Sequence, residues 1–174
     1  MDIRAQLSAE TSRRNTDFTI HAVGTNNDHF RELIDIILTE DDPLPMRASW
    51  VVEGITETCP ELIIPYMDKL IKNLPKFTHP GTLRNLLKIF SRMKIPPRHH
   101  GYMTDLCFGW LRKENLQVAV KVYAMQIIAN MVYIYPELKN EFLEVIDELM
   151  PRNSAGFKAR AVRIIKELSV VKST

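Results

Sequence analysis

The sequence predicts an all-α protein of stacked helical pairs, an α–α superhelix, and three observations carry that prediction. Apolar residues recur at helical spacing along nearly the whole chain. The pattern returns every 37 to 39 residues. Proline marks the corner inside successive copies, at Pro60, Pro97 and Pro136. Two helices alone make too thin a layer to bury both of their apolar stripes, so each pair needs a neighbouring copy stacked on it.

Taken in order, residues 1–14 are weakly patterned, and this segment is expected to fray or to lie on the first repeat. Asn15 and Thr16 are the expected caps of a short helix through Phe18, Ala22 and Val23, which ends in the turn-forming Gly24-Thr25-Asn26-Asn27. Phe30, Ile34 and Leu38 then form a stripe that stops at the acidic corner Glu40-Asp41-Asp42-Pro43. The pairs are expected at about 15–42, 43–77, 78–114 and 115–152, with a capping helix over 153–172. Pro45 and Pro80 suit first helical turns, where a missing N–H has no intrahelical acceptor to lose. Asn115 and the pair Asn153-Ser154 are the expected caps of the later helices.

The first helices of the pairs, the A helices, align column by column. Ala48 corresponds to Leu86, Ala124 and Ala161; Val51 to Ile89, Ile127 and Ile164; Val52 to Phe90, Ile128 and Ile165; Ile55 to Met93, Met131 and Leu168. Every position is apolar. The B helices align as Leu62, His99, Leu138; Tyr66, Met103, Phe142; Leu70, Cys107, Ile146; and Leu74, Leu111, Met150, with His99 the one polar member.

With this period, these corners, and Pro-Met-Arg-Ala-Ser-Trp (45–50) echoed by Lys-Ala-Arg-Ala-Val-Arg (158–163), the chain from about 15 to 171 resembles the HEAT and armadillo class of α-helical repeats. The resemblance implies a right-handed solenoid of about four pairs plus a cap, with B helices lining a concave side that receives partners. Arg47 and Arg160 have Asn85 and Tyr123 as counterparts, so no regular polar ladder between repeats is expected.

Composition narrows the function. A chain that is 45% hydrophobic and 25% charged can build a core, and its net charge of +2 gives no overall case for nucleic acid or a membrane surface. No apolar run reaches a membrane span and the first residues lack a signal-peptide core, so a cytoplasmic location is expected. Neither GxxxxGK nor GxGxxG occurs, no HExxH or Cys-His ligand set exists, and no cofactor is expected. His99 and His100 are neighbours on a helix and point about 100° apart, which suits a helix start with one ring on the core better than a metal site. Cys59 and Cys107 read as free thiols and small buried hydrophobes. No catalytic or metal-ligating residue is assigned.

Charge is uneven along the B helices. Residues 27–42 hold six acids against one base, and 137–152 five acids against two bases, whereas 61–76 and 98–113 are net basic. Lys69, Lys72 and Lys76 fall on one helical face, and Arg112 and Lys113 extend the basic character of the next B helix; these five are the candidate partner-binding residues, suited to a protein or acidic peptide. Arg84, Lys88 and Arg92 form a second basic stripe on an A helix. The terminal helix carries Lys158, Arg160, Arg163, Lys166 and Lys172, which fits the polar outer face a terminal repeat requires. The helix from Val118 to Ile134, apolar except at Lys121, Tyr123, Gln126 and Asn130, reads as a central buried layer or a self-association surface.

The reading that follows is a non-catalytic protein-interaction scaffold. The alternative comes from one group of HEAT-like proteins, the DNA glycosylases for alkylated bases. The chain is similar to them in helical pairing, with Trp50 and Trp110 available for stacking, but it lacks their dense positive surface.

Overall fold

The computed structural model describes residues 1–171, and among them it contains helices and no strands. Two compact units divide the chain, Met1–Ile89 and Phe90–Thr174. The first holds α1 (Ile3–Ala9), α2 (Arg13–Val23), α3 (Asn27–Thr39), α4 (Leu44–Ile55), a 3₁₀ helix over Pro60–Tyr66, α5 (Met67–Asn73) and a 3₁₀ turn at Leu74–Lys76. Helix α6 (Pro80–Arg92) crosses the division. The second unit continues with a 3₁₀ turn at Pro97–His99, α7 (His100–Arg112), α8 (Val118–Ile134), α9 (Leu138–Leu149), a 3₁₀ turn at Met150–Arg152, and α10 (Ala155–Leu168).

In the first unit α4 packs against α3 and α2, and α1 lies on α2 and α4. In the second, α8 packs against α7, α9 and α10. A helices therefore meet A helices one repeat away, as α2 meets α4 and α8 meets α10. Their aligned columns are the core: all are buried except Met93 and Ile165, which are half-buried. The apolar circumference of α8 is taken up as a buried layer within its own unit, leaving Val118, Tyr133 and Ile134 exposed near its ends.

At Ile3–Ala9 the N-terminal segment lies on the first repeat, the second of its two expected arrangements: Ile3 and Leu7 are covered, and the Arg47 guanidinium donates to the Leu7 carbonyl at 2.7 Å and the Ser8 carbonyl at 3.1 Å. Other local expectations are corrected. Ser12, rather than Asn15 or Thr16, caps α2, accepting from the Asn15 N–H at 3.0 Å. Asn15 is instead buried and bonded to the Gln6 and Glu10 carbonyls. Asn115 caps nothing, because α8 begins at Val118 behind Gln117. Ser154 does cap α10.

The second B helix departs most from expectation. Pro65 has no N–H to offer an α-helix, and the stretch around it winds as a 3₁₀ helix with three residues per turn. Its tighter winding moves the inward face by one residue, so Ile63 and Met67 are buried where Leu62 and Tyr66 were expected, and both of those are half-buried. The register recovers at Leu70 and Leu74.

A polar ladder is also present. Asn85 Nδ2 donates to Ser49 Oγ at 3.1 Å, Asn130 Nδ2 donates to the Ser91 carbonyl at 2.9 Å, and Arg160 bonds Gln126. These bonds span 36, 39 and 34 residues, so each joins one A helix to the preceding one, and Arg47 on α4 reaches back 40 residues to Leu7 on α1. Residue type varies along this ladder, while its spacing follows the repeat.

Candidate partner-binding site

The A columns are buried, so candidate contacts for a partner come from helix ends and B helices. Lys69 and Lys72 stand exposed on α5, with no ion pair among the described residues. Lys76 does not continue their face. Helix α5 ends at Asn73, and Lys76 falls in the following 3₁₀ turn, where it lines a cavity of about 180 Å³ together with Glu40, Asp41 and Asp42. The acidic corner read as a helix stop thus also faces the third lysine.

In the second unit Arg112 and Lys113 lie at the C-terminal end of α7, both exposed. The Arg112 guanidinium is 5.4 Å from the centre of the Phe108 ring and 3.9 Å from a Glu141 carboxylate oxygen, so it is oriented but half open to solvent. The basic stripe on α6 is engaged: Lys88 lies 2.8 Å from the largely buried Glu53 and 3.4 Å from Glu57, and Arg84 bonds Asn85. On α10, Lys158, Arg163 and Lys166 are exposed, and Lys172 lies outside the described residues.

Both histidines of the pair are buried, not one. His100 Nε2 donates to the Ile95 carbonyl at 2.8 Å, and Nδ1 lies 2.9 Å from the Tyr135 hydroxyl, with the rings edge to face. The residue ties two successive proline-marked corners together. Cys107 is fully buried and burial pushes its thiol pKa up, whereas Cys59 is only half-buried. Trp50 and Trp110 are half-buried.

Sequence reasoning missed two cations. Arg112 shares a cavity of about 330 Å³ with Lys121, Arg152, Glu114, Glu148, Leu149 and Asn153. Lys121 is only 3% exposed, and its Nζ bonds Asn153 Oδ1 at 3.3 Å. Burial lowers its pKa, with the Glu114 carboxylate acting in the opposite sense. The signal available in the sequence was a lysine inside an otherwise apolar helix.

No helix among the described residues is long and apolar enough to cross a membrane. Neither the curated proteins nor the solved structures contain a match to the chain. The model of the HEAT repeat domain, however, matches residues 3–168, nearly the whole length. With its A columns buried between neighbouring copies and its polar bonds spaced by the repeat, the chain belongs to the HEAT repeat family.

Proposed function

We propose that this HEAT repeat domain is a non-catalytic scaffold that binds an acidic segment of a partner protein through cations on its B helices. The observation that carries the reading is the state of those cations. Lys69 and Lys72 on α5, and Lys113 after α7, are exposed and without ion pairs among the described residues, while the A-layer base Lys88 is paired with acids. Within each unit a buried A layer fixes the positions of its own B helices, so the exposed bases of that unit are held in place and little ordering opposes binding. Opposite charge then steers the partner and excludes basic competitors.

The test is calorimetric titration of the full chain with a glutamate-rich peptide, a lysine-rich peptide and a short DNA duplex at low and moderate salt. Binding of the glutamate-rich peptide alone, weakened in Lys69→Glu/Lys72→Glu, is the expected result. Steeply salt-dependent binding of the duplex in preference to the peptide would overturn the reading in favour of a nucleic-acid-binding protein.

A further inference from the structure

We infer that the cavity between the end of α7, helix α8 and the end of α9 is an anion site that receives a carboxylate from the partner's acidic segment. The inference rests on the proposed function and specifies where in the second unit the negative charge would be seated. Three cations line this cavity: Arg112 from the end of α7, Lys121 from the second turn of α8, and Arg152 from the 3₁₀ turn after α9.

Lys121 is the reason the cavity stands out from the charged surface around it. An ammonium has three N–H donors, and this one has a single neutral acceptor, Asn153 Oδ1, at 3.3 Å. No carboxylate among the described residues lies within ion-pair distance of it. A nearly covered cation with so little compensation is costly to hold, and the cost is relieved by an anion that supplies charge and acceptors together. The cavity, at about 330 Å³, has room for a carboxylate and the stem that carries it.

Arg112 and Arg152 are exposed and can close over such a group in the bidentate manner of guanidinium and carboxylate. Arg112 is held near the opening by the Phe108 ring, and Arg152 has no ion pair among the described residues. Glu114 and Glu148 stand on the rim, both exposed, where solvent screens their repulsion of an incoming anion. They also make the site selective, since a singly charged carboxylate meets less repulsion there than a doubly charged phosphate.

The experiment uses the full chain, a glutamate-rich peptide and inorganic phosphate. Affinity for the peptide is measured by calorimetry, and acetylation of Lys121 by acetic anhydride is followed by mass spectrometry with each anion present. The peptide is expected to protect Lys121, with phosphate at the same concentration protecting it less. Arg152→Gln, a surface change, and Lys121→Met, which keeps the side-chain volume, are each expected to weaken the peptide at least tenfold, and Glu148→Gln to tighten it. Circular dichroism checks that Lys121→Met folds, and Arg152→Gln keeps the test valid if it does not. Peptide binding that is unchanged in Arg152→Gln and leaves Lys121 unprotected would overturn the site while leaving the scaffold reading intact. Protection by phosphate but not by peptide would overturn the choice of a carboxylate. No peptide binding by the unaltered chain would remove the acidic-partner reading itself.

Discussion

Lys121 shows how one side chain can oppose the stability of the element that carries it. Its folded pKa is lowered by burial, so between that value and the usual lysine value the unfolded chain binds more protons than the folded one. Stability therefore rises with pH across this window, as Lys121 gives up the proton that burial disfavours. Arg112, Arg152, Glu114 and Glu148 line the same cavity, and the Glu114 carboxylate acts against the effect of burial by raising the Lys121 pKa. Comparing urea midpoints of the unaltered chain and Lys121→Met from pH 8 to pH 10.5 is expected to show the steeper rise in the unaltered chain; parallel curves would contradict it. At the ladder, Asn85→Ala removes a buried donor and leaves Ser49 Oγ with only its own donation to the Met46 carbonyl, which is expected to cost about 1–3 kcal/mol in a denaturant titration. The two thiols should separate under alkylation of the native protein, with Cys59 modified and Cys107 protected until urea exposes it, because burial both covers Cys107 and suppresses its thiolate.

Among the elements, α8 carries the largest share of one unit's packing, since it meets α7, α9 and α10. Ile128→Ala in α8 is expected to destabilise the protein by about 2–5 kcal/mol in chemical denaturation, from lost burial plus the cavity left behind. The same change at the half-buried Ile165, its counterpart in α10, should cost clearly less. This contrast also marks what the sequence could reveal. The A columns were legible because a repeated apolar position has one physical meaning in every copy, and only just past a helix end or in the terminal helix is it partly uncovered, as at Met93 and Ile165. The second B helix was misjudged in register because Pro65 changes the winding from 3.6 to three residues per turn, and periodicity alone cannot anticipate which winding a proline will impose. The capping residue of α2 was missed because three nearby polar residues, Ser12, Asn15 and Thr16, all have the chemistry of a cap, and the burial of Asn15 against α1 decides between them.

At the scale of the whole molecule, the repeat organises covalent sequence, packing and polar bonding alike. Bonds spanning 34 to 39 residues link successive A helices, donated by asparagine at two of them and by arginine at the third, which is why aligning the arginines alone hid the ladder. The candidate site was legible only in part, for a related reason. Lys69, Lys72, Arg112 and Lys113 are exposed as charge patterning suggests, but Lys76 turns to the acidic corner, and Lys121 and Arg152 join Arg112 only because folding brings the ends of three helices together. Within each unit, A helices one repeat apart satisfy their apolar faces against each other, α2 with α4 and α8 with α10. Methyl-to-methyl nuclear Overhauser contacts in isotope-labelled protein test it directly. Cross-peaks are expected between the buried isoleucine methyls of α8 and those of α10. Their absence, with the Ile127, Ile128 and Ile164 methyls found open to solvent, would contradict it.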